Sequence, residues 1–274
     1  MNRLVKMGGA LLACAALAFA QPKPKSQKEV DAIRAIQAAQ TPDERIAAVE
    51  NLLTKFSDTE FKAIALRTAA EAAQQKGDAT QMIVYAERAI EADPKDYGSM
   101  LMISTALAQR TREFDLDKEE KLARSEKLAK QGMELAKDAT KPNPAIPDDV
   151  WEKEKKYYQE QGHVALAMIA SVRKKPDVAI TEYTAAVSAY APDTDQTVLI
   201  RLASAYNEAG KPDDALATID KLNALPNLMA PVKTLAAQEK AKALKLKGVA
   251  APAAAPAASA PAPVSGAAPA APPK

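Results

Sequence analysis

The feature that most constrains this fold is a helical periodicity that runs through almost the whole chain. Between Ser26 and Lys247, apolar residues recur every three or four positions, and Pro and Gly fall between the periodic stretches. This spacing predicts amphipathic helices, and no alternating apolar and polar run predicts a strand. We therefore expect an all-α fold over about 220 residues.

The predicted helices come in pairs, each with a tight turn between its members and small residues in its second helix. The pattern is clearest from Ala63 to Pro94 and from Gln196 to Asn227. Small side chains where two helices cross let their backbones approach closely. One pair cannot bury its apolar face alone, so successive pairs must stack.

This pattern resembles the tetratricopeptide repeat (TPR), a unit of about 34 residues. The unit that starts at position 63 has small or apolar residues at the places that the repeat requires: Leu66, Ala69, Ala70, Ala73 and Ala89, with Pro94 near its end. The resemblance implies an α-solenoid of stacked antiparallel helix pairs, a TPR-like superhelix. We expect a degenerate pair at 27–56, units starting at 63, 97, 160 and 196, and a capping helix at 228–247.

The second repeat unit, which starts at position 97, departs from this period of 34 residues. Its candidate small residue, Ala129, lies 47 residues after Met82, the corresponding residue of the preceding unit, and 50 residues before Ala179 in the next unit. These spacings exceed 34 by 13 and 16 residues. We assign the surplus to a first insertion, Arg110 to Glu120, and a second insertion, Lys141 to Tyr158.

The first insertion is rich in charge. Four acidic side chains have offsets that resemble those of a calcium loop: Asp115, Asp117, Glu119 and Glu126. Lys118 would oppose a cation there, and Glu120 stands where such a loop needs glycine. We therefore expect a solvated connector that is held by Phe114 and Leu116, with Asp117 capping the next helix.

The second insertion combines a proline-punctuated loop, 141–147, with an extended helix that Asp148 is expected to cap. An aromatic residue such as Trp151 could anchor a ligand, but this helical spacing is typical of a packed core. We expect the whole stripe to face inward: Val150, Trp151, Tyr157, Tyr158, Val164, Ala165, Met168 and Ile169.

Residues 1–20 resemble a signal peptide for export. Arg3 and Lys6 precede an apolar run, Ala10 to Phe19, that is too short to span a bilayer, and Ala18-Phe19-Ala20 is a small-x-small cleavage site. Cleavage there leaves Gln21 at the mature N-terminus, at the start of a short linker, 21–25. No later segment is apolar enough to form a transmembrane helix, so we expect a bacterial protein that is periplasmic or secreted.

The single cysteine, Cys14, leaves an alternative open. With Leu11-Leu12-Ala13 before it, the site loosely resembles the lipobox of bacterial lipoproteins, and lipidation of Cys14 would attach the chain to a membrane. Against this, Leu12 is unusual for that motif and the apolar run continues beyond the cysteine. Cleavage after Ala20 would instead leave a mature chain that lacks cysteine and disulfides.

The C-terminal segment, 248–274, has a different composition from the helical region. Residues 249–274 include seven Pro and thirteen Ala, which cannot bury enough apolar surface to offset chain entropy, so we expect a disordered tail. Without Arg3 and Lys6, the 37 basic residues of the chain become 35, equal to its 35 acidic residues. A neutral chain lacks the field that gathers phosphate backbones, so we expect no nucleic-acid partner.

The sequence offers little for catalysis or cofactor binding. It has one histidine, His163, and lacks a glycine-rich phosphate loop, so we expect no enzyme activity, no metal and no cofactor. An enzyme with an unrecognised site is the second alternative, after a TPR lipoprotein of an outer-membrane or envelope assembly system.

The resemblance implies instead that the first helix of each pair lines a concave groove that binds a protein or peptide partner. Groove positions carried over from the family give these residues: Arg67, Glu71, Gln74, Leu101, Thr105, Val164, Met168, Thr197, Ile200, Ser204, Asn207 and Glu208. Polar ends and an apolar middle would suit an extended peptide or a helix of the partner. The family's carboxylate clamp does not match, because only Asn207 and the arginines hint at it.

Overall fold

The computed structural model describes residues 22–190 and 195–248, which form two compact units. The described residues contain eleven α-helices and no strand. The predicted signal peptide, its Cys14 and the tail from 249 onwards lie outside them.

The first unit, 22–190, contains eight helices that pack in chain order as four pairs. Each helix packs against the next, and α5 also packs against α7. The helices are α1 Gln27–Ala38, α2 Pro42–Lys55, α3 Lys62–Gln75, α4 Ala79–Ala92, α5 Tyr97–Arg110, α6 Lys118–Lys137, α7 Asp148–Val172 and α8 Pro176–Tyr190.

Short local motifs start several of these helices. The Thr41 hydroxyl accepts a hydrogen bond from the backbone N–H of Glu44, whose carboxylate accepts one from the Thr41 backbone, which confirms the predicted capping box of α2. Asp78 and Asp96 cap α4 and α5 in the ordinary way. These bonds satisfy N–H groups that the first turn of a helix leaves without a partner.

Two predicted caps are wrong. Asp148 lies inside α7, after Pro147 at the N-cap position, and its carboxylate pairs with Lys141 instead. Asp117 stands at the N-cap position of α6, but it makes no cap bond and its carboxylate lies 2.8 Å from Nζ of Lys121. In both cases a nearby ammonium group competes with the backbone for the carboxylate.

Small residues lie at the helix contacts of this unit. Ala89, Ala129 and Ala179 are fully buried. The helix contact at Gly162 is closer still, because a Cβ atom built on Gly162 would lie 2.1 Å from Cγ of Met133 in α6. A contact this close lets α6 and α7 approach each other closely.

The second unit, 195–248, consists of α9 Gln196–Glu208, α10 Pro212–Asn223 and α11 Ala230–Leu246, each packed against the other two. Gly210 has φ +68° in the turn between α9 and α10, a conformation that glycine adopts without strain. Ile219 and Leu222 of α10 are buried, as are Val232, Ala236 and Ala243 of α11. α11 therefore covers apolar surface of the last helix pair.

The first insertion differs from the prediction. Phe114 is 88% exposed and Leu116 107% exposed, so neither side chain holds the connector against the core. Charged groups hold it instead: Asp115 accepts the backbone N–H of Arg112, and Glu113 pairs with Lys174 at 3.2 Å. A seven-residue connector, 111–117, is too short to form a helical face that could bury both apolar side chains.

Candidate functional site

A cleft of about 180 Å³ opens in the first unit between α3, α5 and α7. All three are first helices of their pairs. The lining combines polar groups at the rim with aliphatic and aromatic side chains: Glu71, Gln74, Gly98, Leu101, Met102, Thr105, Tyr157, Tyr158 and Gln161. Such a mixture is typical of a site that binds an organic group or a peptide.

A second depression adjoins this cleft. It has a volume of about 200 Å³ and shares Gln74, Met102 and Thr105 with the cleft. It continues along α5 towards Gln109 and Arg110 and reaches the turn at Gly77. Together the two depressions form a surface that follows α5, as an extended ligand would require.

An ion pair fixes one wall of the cleft. Nη1 of Arg67 donates to Oδ1 of Asp96 at 2.8 Å, and the Asp96 side chain is only 3% exposed. Asp96 also accepts hydrogen bonds from the backbone N–H and the hydroxyl of Ser99. Burial opposes the charge of Arg67, but Asp96, Tyr158 and Glu71 together outweigh it and raise the pKa of the guanidinium. The pair therefore ties α3 to the start of α5.

The opposite wall is aromatic. The ring of Tyr158 lies 4.9 Å from the ring of Tyr97 and 5.6 Å from that of Tyr157, both in edge-on geometry. Tyr157 continues the series to Tyr190 at 5.8 Å. Edge-on pairs at these distances are favourable. Burial raises the pKa of Tyr158, so its hydroxyl stays protonated at neutral pH.

Comparisons with known proteins identify the architecture. No protein-family model matches the chain, and no curated protein matches it significantly. A solved structure of a thermophilic TPR protein from Thermus thermophilus superposes with a TM-score of 0.52 at 16% identity, covering 77% of this chain and 98% of that one. The fold is that of a tetratricopeptide repeat protein. A TPR protein from Parabacteroides merdae is also similar, with a TM-score of 0.42, 10% identity, and coverage of 82% of this chain and 94% of that one.

The described helix pairs and the similarity to the Thermus thermophilus structure confirm the predicted all-α, TPR-like solenoid of antiparallel helix pairs. Within the tetratricopeptide fold, the predicted groove residues of the first unit divide into two groups. Glu71, Gln74 and Thr105 line the cleft, and Arg67 stands beside it with 28% of its side chain exposed. The other group is buried, with exposures of 2% for Leu101, 8% for Val164 and 4% for Met168, although Leu101 also borders the cleft. These three pack between helices and leave little surface for a partner.

The predicted groove residues of the second unit divide in the same way. Ile200 is buried, whereas Thr197 is exposed. The other three, Ser204, Asn207 and Glu208, line a depression of about 550 Å³ with Glu239, Lys242, Lys245 and Leu246.

Asn207 is already engaged in that depression. Its Nδ2 donates to the backbone oxygen of Glu239 at 3.0 Å and to Oε2 of the same residue at 2.9 Å. Glu239 in turn pairs with Lys242 at 2.7 Å. Asn207 therefore ties α9 to α11, and it has less freedom to bind a ligand than its groove position suggests.

The helical spacing predicts that Tyr157 and Tyr158 belong to the inward-facing stripe of α7, and it does not predict that both line the cleft. Trp151 of the same stripe is buried at 4% exposure, which confirms its core role. Tyr157 is 42% exposed and Val150 is 50% exposed, so the stripe is not wholly internal. No signal within α7 distinguishes these tyrosines from core residues, because adjacent residues of the same helix, such as Val164 and Ala165, are both buried.

The described residues show few features that are typical of a catalytic or metal site. Nδ1 of His163 lies 2.8 Å from the carboxylate of Glu182, a partner on the adjacent helix of its own pair. Within 22–190 and 195–248, no group of three or more His, Cys, Asp or Glu side chains is placed to hold a metal ion. Over the same residues, no helix combines the length and apolarity that crossing a membrane requires.

Proposed function

We propose that this protein is a non-enzymatic scaffold or adaptor that binds a protein or peptide partner through the surface along α3, α5 and α7. The observation that carries the proposal is the cleft, in which three successive first helices place exposed polar groups around apolar and aromatic side chains. The tetratricopeptide fold supports it, because repeat folds of this kind present extended binding surfaces. An extended segment would meet Glu71, Gln74 and Thr105 in turn.

Site-specific photocrosslinking in intact cells tests this function. A photoreactive amino acid replaces Gln74, which is exposed and lines both depressions, or Lys127, which is exposed on α6 and lines neither. We expect a discrete crosslinked partner from position 74 and none from position 127. Equal crosslinking from both positions, or none from position 74, would contradict binding at this surface.

We further propose that the protein works in the bacterial cell envelope. The support is the sequence of residues 1–20, with its basic start, its short apolar run and its cleavage site. Mass spectrometry of the mature N-terminus tests it. A chain that starts at Gln21 supports export without an anchor, a lipidated Cys14 supports the lipoprotein of an assembly system, and a chain that retains Met1 contradicts both.

A further inference from the structure

The charge of the cleft lies at one position. Among the described residues that line it, Glu71 alone has a charged side chain, and 52% of that side chain is exposed. Its nearest cation, Arg67, approaches only to 4.0 Å, because the same guanidinium binds Asp96 at 2.8 Å. The carboxylate of Glu71 is therefore open to solvent while the main cation of the wall is engaged elsewhere.

The charges that act on Glu71 balance, so its own carboxylate gives this part of the cleft a negative excess. Two cations, Arg67 and Arg45, act on its carboxylate, together with two further carboxylates, those of Asp96 and Glu154. With Glu71 itself included, three negative charges therefore stand against two positive ones. Burial in the wall raises the pKa of Glu71, Arg67 lowers it in part, and Asp96 adds to the rise. A cation that entered the cleft would relieve this repulsion.

The remaining lining suits the stem of a long basic side chain. Tyr157 and Tyr158 offer aromatic surface, and Met102 offers aliphatic surface. Guanidinium and ammonium groups are attracted to tyrosine faces, while their methylene stems lie along apolar surface. Oγ1 of Thr105 is buried and lacks a hydrogen-bond partner among the described residues, so the lining contains one unsatisfied polar group.

We propose that the cleft recognises an extended peptide segment through one basic side chain, whose charged head pairs with Glu71 while its stem lies against Tyr157 and Tyr158. This rests on the proposed function and names the chemistry of the partner. Arginine fits better than lysine, because its planar head pairs with a carboxylate through two hydrogen bonds and stacks on aromatic rings. Acidic segments are disfavoured by Glu71, Glu154 and Asp96.

Two matched peptides test the proposal on the full chain. The probes are acetyl-Pro-Ala-Arg-Ala-Pro-amide and the same peptide with citrulline, which keeps the shape of arginine and removes its charge. The reporter is the ¹³C-labelled methyl group of Met102, which lines the cleft and is assigned with the Met102→Leu variant. We expect the arginine peptide to shift this signal with an affinity about ten-fold higher than that of the citrulline peptide.

Substitution of Glu71 locates the effect. Glu71→Gln should remove the preference for arginine, and the preference should also fade in the native chain as pH falls through the raised pKa of Glu71. Glu91→Gln is the matched control, because Glu91 is an exposed glutamate on α4 that does not line the cleft. Equal binding of the two peptides, a preference that survives Glu71→Gln, or no Met102 shift at the highest soluble peptide concentration overturns the proposal.

The two proposals fail in different ways. If position 74 still crosslinks a partner in cells and Glu71→Gln leaves that crosslink unchanged, the scaffold function stands and the basic-residue preference is wrong. If position 74 crosslinks nothing, the binding surface itself is wrong.

Discussion

The two insertions, one inside the second repeat unit and one after it, have opposite outcomes. The first adds a short connector whose apolar residues, Phe114 and Leu116, face solvent while its charges form ion pairs. The second lengthens α7 to 25 residues, against 14 in α5, and the added turns bury Trp151 and bring Tyr158 to the cleft. Inserted residues join the core only where they extend a periodic helical face, and that same extension supplies the aromatic wall of the candidate site.

The largest expected effect is that of Trp151→Ala in the second insertion. The indole is 4% exposed, so its removal forfeits buried apolar area and leaves a cavity. Such truncations cost about 3–5 kcal/mol of unfolding free energy. Urea denaturation of the full chain measures the loss, and a change below about 1 kcal/mol would show that this end of α7 is not part of the core.

Gly162→Ala tests how α7 approaches α6. The new Cβ would lie 2.1 Å from Cγ of Met133, so the helices must shift or Met133 must move. Overpacking costs about 1–3 kcal/mol, and the better helix propensity of alanine returns up to about 1 kcal/mol, so we expect a net loss of about 1 kcal/mol.

A double-mutant cycle separates that clash from other effects. In the presence of Met133→Ala, Gly162→Ala should become neutral or stabilising, because the obstructing side chain is gone. If the loss of unfolding free energy in the double variant equals the sum of the losses in the two single variants, Gly162 is needed for a reason other than contact with Met133.

The local motifs of the fold could be predicted from the sequence, whereas the exposure of side chains could not. The capping box of Thr41 and Glu44 needs only residues three apart, and Ala129 and Ala179 mark helix contacts by their size and spacing. The cleft depends on what stands opposite each residue. Tyr158 meets Tyr97 from another helix, which no spacing within α7 reveals.

A change in pH should affect the stability contribution of the second insertion at alkaline pH and that of the first insertion at acidic pH. Burial raises the pKa of Tyr158 above its value in the unfolded chain. The contribution of Tyr158 to the unfolding free energy is therefore present below the unfolded pKa of about 10 and lost as pH rises through the folded pKa. The hydrogen bond from Lys121 lowers the pKa of Asp117, so its contribution is present above the unfolded pKa of about 4 and lost as pH falls through the folded value.

Alkaline titration of the Tyr158→Phe variant checks the first of these effects. Difference absorbance of tyrosinate between the native chain and the variant should show Tyr158 ionising above the ordinary range. The variant should also lose less stability than the native chain between neutral and alkaline pH. Identical alkaline profiles would show that Tyr158 is not shielded from water by Tyr97 and its neighbours.

The smallest expected effect is that of Phe114→Ser with Leu116→Ser in the first insertion. Both side chains are almost fully exposed, so their replacement removes no buried area, and the unfolding free energy should change by less than about 0.5 kcal/mol. Urea denaturation beside Trp151→Ala gives a direct comparison of aromatic residues in the two insertions. A loss of about 1 kcal/mol or more, on the scale of a buried contact, would mean that the connector folds against the body of the protein in solution. In that case the contrast between the insertions would be one of degree, and the ion pair of Glu113 with Lys174 would no longer be what holds the connector in place.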